Sequence, residues 1–333
     1  MLHGWKTWVG VAALAATYAV PAVSAEAVPV LFGKNSDWLF TPYEFAVATD
    51  AADTQATIDL FGKMNKLFEK KGIALALVIV PSKIRIHSDQ LPPNKGLDAY
   101  TESKYESAVK ELKSLGVNVV NLNQSFQVSP DRSSDTPLFL RLDTHWSPSG
   151  AALAAKTIKG VIDTTPVLSS ALAATPEVAY TMNWAQKRTI TRARDLVHYL
   201  SAEEQKQFKP ETVLPFKVAR ANASQVGLQG AGENVGVLVI GSSYTHANTL
   251  YPDAVRFYLQ RDLLSISIQV DKGPWVGMEE YLNDDAYKTN KPKLIIWEIP
   301  ERELRSPPNA KFRDARYQSD NNAWLGRVTA LLK

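Results

Sequence analysis

Residues 235–245 read VGVLVIGSSYT, an apolar run that ends in a glycine and two serines. The run shows no alternation of polar and apolar residues, which is typical of a strand that is buried on both faces of its sheet. Residues 73–80 and 294–299 form two more runs of this kind, and stretches with helical spacing of apolar residues lie between the runs. Strands that alternate with helices predict an α/β fold with a mainly parallel sheet.

The same patterns give bounds for the elements. We predict strands at residues 73–80, 117–122, 138–142, 235–240, 265–270 and 294–299. We predict helices at residues 51–71, 100–115, 151–161, 194–207, 251–259, 278–287 and 324–333. These elements indicate one domain over residues 26–333, with an irregular insertion around residues 165–233.

Residues 1–25 have the order of a secretory signal peptide. Lys6 precedes a run without charges from residue 8 to residue 20, and Val23-Ser24-Ala25 supplies the small residues of a cleavage site. The run is short for a membrane span, which needs about 20 residues. We therefore expect cleavage after Ala25 and a periplasmic mature protein, with an uncleaved N-terminal anchor as the alternative.

The composition limits the functional classes. The chain has 333 residues, of which 45% are hydrophobic and 21% charged, and its net charge is +3. This balance is globular, and without a concentrated basic stripe it argues against a nucleic-acid partner. The basic cluster at residues 187–194 fits a solvated face, or else a contact with an anionic polymer or membrane head groups. There is no cysteine, and the histidines at positions 87, 198 and 246 lack the spacing of metal ligands, so we expect no metal and no cofactor.

Two loops hold residues suited to nucleophilic catalysis. Ser243 lies in the turn after a buried strand, at the sheet edge where parallel sheets bind ligands. Residues 141–148, RLDTHWSP, place Asp143 and His145 two positions apart. An aspartate can fix the tautomer of a histidine, which can then take a proton from a serine. Either loop alone also fits an ordinary turn, but together they predict an acyl-transfer site of Ser243, His145 and Asp143. His246 is an alternative partner for Ser243, without an acid nearby in the sequence.

The two loops resemble a known family. DTHWSPSG at residues 143–150 and GSSY at residues 241–244 are similar to the SGNH-hydrolase-like domain of alginate O-acetyltransferases of the AlgJ/AlgX type. Further segments agree, namely GKNSDWLF at 33–40, VPSK at 80–83 and RDL at 194–196. As in that permuted branch, the Asp-x-His motif precedes the serine motif. The resemblance implies a flavodoxin-like three-layer sandwich with Ser243 as nucleophile, His145 as base and Asp143 as the residue that orients the base.

The resemblance also implies an activity. It predicts a periplasmic O-acetyltransferase that passes an acetyl group through a serine to hydroxyls of an exopolysaccharide, either alginate or a cellulose-like polymer. Because the periplasm lacks acetyl-CoA, the implied donor is a membrane-bound O-acyltransferase partner. We expect a monomer within a membrane-associated biosynthetic complex. A carbohydrate acetylesterase with the same triad and a non-catalytic scaffold of an export complex are the alternatives.

Residues beside these motifs and at the last strand are candidates for substrate contact. Trp146, Tyr244 and Trp297 are predicted to stack on sugars, with packing in the core as the alternative. Arg302 is predicted to bind substrate, and Glu298 to line the same cleft, with a surface ion pair as the alternative.

Overall fold

The computed structural model describes residues 30–35, 37–192, 194–221 and 235–333. The predicted signal peptide at residues 1–25 lies outside these residues, as does the last part of the predicted insertion. Within the described part, no helix combines the length and the apolar character that a membrane crossing requires.

The strands and helices have the following bounds. The strands are β1 (Leu31–Phe32), β2 (Leu39–Phe40), β3 (Ala74–Val80), β4 (Asn118–Asn121), β5 (Tyr180–Trp184), β6 (Arg188–Ile190), β7 (Glu211–Val213), β8 (Phe216–Arg220), β9 (Val237–Gly241), β10 (Leu264–Ser267) and β11 (Leu294–Pro300). The α-helices are α1 (Ala51–Glu69), α2 (Lys83–Ile86), α3 (Ala99–Ser114), α4 (Leu122–Val128), α5 (Pro148–Thr164), α6 (Pro166–Ala173), α7 (Ala202–Gln205), α8 (Tyr251–Leu259), α9 (Gly273–Asn283), α10 (Asp285–Thr289) and α11 (Asn321–Leu331).

The central sheet has five strands in the order β10-β9-β11-β3-β4, and every neighbouring pair is parallel. Strands β3, β9 and β11 are buried at every position, as their uninterrupted apolar runs predict. Their carboxyl ends meet at one edge, where polar side chains converge on the turn that follows β9. The prediction of an α/β fold with a mainly parallel sheet is confirmed.

Two helical layers cover the sheet, and successive residues of each strand face opposite layers. Leu75, Leu77 and Ile79 of β3 pack into one core with side chains from α1, α3, α9 and α11. Ala76 and Val78 of the same strand pack into a second core with side chains from α4, α5, α6 and α8. Apolar residues are therefore needed at consecutive positions, and the three-layer sandwich is confirmed.

Three predicted elements are wrong. Residues 138–142 are not a strand of the sheet, because the segment turns back and pairs with itself through an isolated bridge between Phe139 and Trp146. The helix predicted at 278–287 is divided between α9 and α10 by the extended residue Asp284, whose carboxylate caps α10. The helix predicted at 194–207 is a one-turn 3-10 helix at Asp195–Tyr199 followed by the short α7.

The insertion is more regular than its sequence indicates. Strand β5 pairs with β8 and β6 pairs with β7, each antiparallel, so the four strands form a nested hairpin. The chain between β6 and β7 places Asp195 and the start of β7, Glu211, against the loop that holds Asp143 and His145. The insertion thus helps to hold the loop that contains Asp143 and His145.

Candidate active site

Ser243 lies at the carboxyl end of the sheet. It lies two residues after Gly241, the last residue of β9, and begins a one-turn 3-10 helix, Ser243–Thr245. A side chain at Gly241 would collide with the carboxylate of Glu298 and the hydroxyl of Thr245, so the turn requires a glycine there. The rigid strand and the tight turn fix where the Ser243 hydroxyl points.

Asp143 and His145 lie in a loop that is closed at its base by backbone hydrogen bonds. The N–H of Leu140 donates to the carbonyl of His145 at 3.0 Å, and the N–H of Ser147 donates to the carbonyl of Leu138 at 2.9 Å. Ser147 also caps the start of α5. The loop is therefore held in place at its base and by the start of α5.

The three predicted residues form one chain of hydrogen bonds. His145 Nε2 lies 2.8 Å from Ser243 Oγ, and His145 Nδ1 lies 2.6 Å from Asp143 Oδ1. These separations are within reach for proton transfer between a nucleophile and its base. The neighbouring Ser242 hydroxyl donates to Glu298 instead, and the imidazole of His246 accepts from a backbone N–H. The structure thus gives Ser243 and His145 the contact that their predicted roles require.

The carboxylate of Asp143 is buried but kept ionised. Burial acts to raise the pKa of Asp143, while the hydrogen bond and charge of His145 and two backbone N–H groups act to lower it, and the result is a pKa below the usual value. An ionised Asp143 keeps the proton of His145 on Nδ1. Nε2 is then free to accept the proton of Ser243.

A second carboxylate, Asp195, supports the loop from the insertion. Asp195 accepts from the backbone N–H of Thr144 at 2.8 Å and from its hydroxyl at 2.5 Å. Its own N–H donates to Asp143 Oδ2 at 3.0 Å. Burial raises the pKa of Asp195, and the charge of Asp143 adds to this shift. Its position was not predicted, and the only signal in the sequence was the RDL segment of the family resemblance.

Lys83 also holds this loop. Its buried ammonium donates to the carbonyls of Leu39, Arg141 and Asp143 at 2.7, 2.8 and 3.0 Å. Burial lowers the pKa of Lys83 to about 8, although nearby carboxylates, first of them Glu211, act to raise it. Glu211 accepts from the N–H of Arg141 at 2.6 Å. Cation and carboxylate together fix the backbone on both sides of Asp143.

Glu298 fixes the turn that contains Ser243. It is buried under the turn and accepts from the N–H of Ser242 at 2.8 Å and from the hydroxyls of Ser242 and Thr245 at 3.0 Å. Burial raises the pKa of Glu298 to about 7, against the lowering effect of these hydrogen bonds. The sequence placed Glu298 at the cleft but did not predict this contact with the turn.

The predicted sugar-stacking role of three aromatic residues is wrong. Trp146, Tyr244 and Trp297 are 1%, 1% and 0% exposed. The rings of Trp146 and Tyr244 pack edge to face at 5.0 Å, and the Tyr244 hydroxyl donates to the carbonyl of Thr144 at 2.5 Å. Trp297 packs against Phe61. These rings build the core beneath the site and offer no free face to a sugar.

Arg302 lies close to Ser243. Arg302 and Ser243 share the lining of a small cavity of about 20 Å³, with Ile268 on its apolar side. The guanidinium of Arg302 lies 5.4 Å from the ring centre of Tyr43 and 5.8 Å from that of Tyr244, which fixes its position by cation–π contacts. A substrate contact by Arg302 stays a prediction.

One set of residues in the described chain has the spacing for a metal ion. Ligand atoms of Asp143, His145 and Asp195 lie within 4.8 Å of one another. Both oxygens of each carboxylate, and Nδ1 of His145, already take part in the hydrogen bonds described above. These five atoms therefore already take part in hydrogen bonds that hold the loop of Asp143 and His145 in place.

A serine, a histidine and an aspartate linked in this way at the carboxyl end of a parallel sheet define the class of serine-dependent hydrolases and acyltransferases. Residues 30–301 match the family described as SGNH hydrolase-like domain, acetyltransferase AlgX. The chain belongs to this family, and the predicted resemblance is confirmed.

Individual relatives agree with this assignment. The chain is 26% identical over 310 residues to the probable alginate O-acetylase AlgJ of Pseudomonas aeruginosa, covering 90% of this chain and 76% of that protein. It is 28% identical over 284 residues to the AlgJ of Pseudomonas syringae pv. tomato, covering 83% and 69%. The O-acetyltransferase domain of Pseudomonas putida AlgJ has the same fold, with a TM-score of 0.73 and 21% identity over 90% of this chain and 98% of that domain.

Proposed function

We propose that this protein is a serine-dependent O-acetyltransferase that moves acetyl groups to hydroxyls of an exopolysaccharide. The observation that supports it most directly is the hydrogen-bonded chain from Ser243 through His145 to Asp143. The relatives are named as probable alginate O-acetylases, which favours acetyl as the transferred group and a polysaccharide as the acceptor.

The first half-reaction loads the enzyme. His145 Nε2 takes the proton of Ser243 as Oγ attacks the carbonyl carbon of an acetyl donor. Negative charge develops on the carbonyl oxygen, and the N–H of Ser243 is placed to stabilise it, because this residue begins a helical turn and has no preceding helical carbonyl to bond. Collapse of the intermediate breaks the bond to the donor group, which leaves with the proton from His145. Asp143 stabilises the imidazolium in between.

The second half-reaction transfers the acetyl group. A hydroxyl of the acceptor gives its proton to His145 Nε2 and attacks the acetyl carbonyl on Ser243. The ester bond to Ser243 breaks, its Oγ recovers the proton, and the acetylated acceptor leaves. An esterase would use water in this step with the same residues, so the acceptor decides between transfer and hydrolysis.

The cavity beside Ser243 fits a short acyl group. Its volume of about 20 Å³ exceeds only slightly the roughly 10–15 Å³ needed for one water molecule. A methyl group is of similar size, so the cavity is compatible with acetyl as the transferred group.

We further propose that the enzyme acts in the periplasm and receives acetyl from a membrane-bound O-acyltransferase. The support is the signal-peptide pattern of residues 1–25 and the need for an acetyl source outside the cytoplasm.

The test follows acetyl release from a chromogenic acetyl ester with and without oligosaccharide. We expect the oligosaccharide to accelerate release and to become acetylated, and Ser243→Ala to abolish both. A rate of acetyl release that the oligosaccharide does not change, with no acetylated sugar formed, would identify an esterase. Full polysaccharide acetylation in cells that carry Ser243→Ala would contradict a catalytic role and favour a scaffold.

A further inference from the structure

A groove of about 370 Å³ adjoins the cavity beside Ser243. Val270, Arg302 and Glu303 belong to the walls of both. The groove is therefore a neighbour of the space into which Ser243 projects, separated from it by no more than the side chains that line both.

Two exposed aromatic side chains line this groove. Phe312 is 63% exposed and Tyr43 is 37% exposed. The carbonyl of Tyr43 accepts from Arg305 at 2.7 Å, which fixes the backbone at this residue. The guanidinium groups of Arg305 and Arg313 lie 6.0 and 5.9 Å from the ring centre of Phe312 and hold it at the rim. Such rings can pack against the C–H face of a sugar, which gains dispersion contacts and weak hydrogen bonds there.

The charges in the wall of the groove balance. Three arginines and three acids line it, namely Arg302, Arg305, Arg313, Asp271, Glu303 and Asp314. The arginines also have acidic neighbours, since Arg302 lies 3.9 Å from Glu44, Arg305 lies 3.2 Å from Asp50, and Arg313 forms an ion pair with Glu303. For a polymer with a carboxylate on every sugar, this wall offers no excess of positive charge. Its acidic side chains would repel the carboxylates of such a polymer.

We propose that this groove binds an uncharged polysaccharide and presents one of its hydroxyls to acetylated Ser243. The inference rests on the proposed transferase function and names the class of its acceptor. Phe312 and Tyr43 pack against the sugar faces, and the groove arginines donate hydrogen bonds to hydroxyl oxygens while their charges stay compensated. The groove thereby selects against polyuronates, the class to which alginate belongs.

Binding to the Ser243→Ala variant tests this inference without depending on catalysis. Isothermal titration calorimetry compares cellopentaose with a mannuronate pentamer, which has the same length but a carboxylate on each sugar. We expect cellopentaose to bind more tightly, with an affinity that salt does not change, because no net charge is neutralised. Tighter binding of the mannuronate pentamer, or no binding of cellopentaose, would overturn the proposal.

Substitutions in the same background locate the binding. Phe312→Ala is expected to weaken cellopentaose binding about tenfold, and Phe312→Trp to restore it. The matched control is Trp184→Ala, which removes an exposed aromatic ring on strand β5 outside the groove and should leave binding unchanged. Equal effects of Phe312→Ala and Trp184→Ala would contradict the assignment of the groove. Acetylation of Ser243 by a chromogenic ester is measured separately on the wild-type protein, so a failure of the proposed function is distinguishable from a failure of the groove.

Discussion

Replacing Glu298 by glutamine should make folding stability less dependent on pH. Burial raises the pKa of Glu298 from its ordinary value of 4.5 to about 7. Between these values the folded protein holds a proton that the unfolded chain has released, so the contribution of Glu298 to stability is greatest below pH 4.5 and is lost as the pH rises through 7. A difference of about 2.5 units at about 1.36 kcal/mol each corresponds to about 3 kcal/mol of unfolding free energy.

Glutamine has the shape of protonated glutamate, and its carbonyl can still accept from the N–H of Ser242 and the hydroxyl of Thr245. Urea unfolding, followed by tryptophan fluorescence at pH 5 and pH 8, gives the unfolding free energy of both proteins. We expect the wild-type protein to lose about 2–3 kcal/mol more than Glu298→Gln between the two pH values. The comparison cancels the contributions of all other titrating groups. An identical pH dependence of both proteins would refute the reasoning.

Three further substitutions test the contacts around the triad. Asp143→Asn should lower the rate of acetyl transfer about 10⁴-fold in steady-state kinetics, with little change in stability, because the amide favours the wrong tautomer of His145. Near-normal turnover would contradict the role of Asp143. Lys83→Met leaves three buried carbonyls without their donor. At about 1 kcal/mol for each hydrogen bond, urea unfolding should show a free energy of unfolding lower by about 3 kcal/mol. An unchanged free energy of unfolding would show that the contacts are weak. Gly241→Ala forces a methyl group against Glu298 and Thr245, so the rate of Ser243 acetylation should fall about a hundredfold, and a normal rate would show that the turn adapts.

The sequence predicts those parts of the fold that depend on local pattern. Strands β3, β9 and β11 are recognisable because burial on both faces requires apolar residues at every position. Helix α8 is predicted with its observed bounds, and it ends at Gln260, which adopts a left-handed conformation. Residues 138–142 have the composition of a strand, but pairing is a tertiary property and the segment bonds to its own loop instead.

The contacts that position the site could not be predicted in the same way. Ser243 and the Asp143–His145 pair follow recognisable motifs, whereas Lys83 and Glu298 act on backbone groups that are distant in the sequence. The sequence also does not reveal whether an aromatic side chain is exposed to solvent, since an aromatic residue next to a motif can point into the core. Trp297 does so because alternate residues of β11 face the layer of α1, α9 and α11.

The central claim is that Ser243 becomes acetylated during turnover. The most direct test incubates the wild-type protein with a chromogenic acetyl ester, stops the reaction by acid and maps the peptides by mass spectrometry. The account predicts one added acetyl group on the peptide that contains Ser243, which disappears when an acceptor oligosaccharide is added, and no added group in Ser243→Ala. Acetyl groups on another residue, or turnover without any acetylated Ser243 under conditions that trap the intermediate, would contradict it.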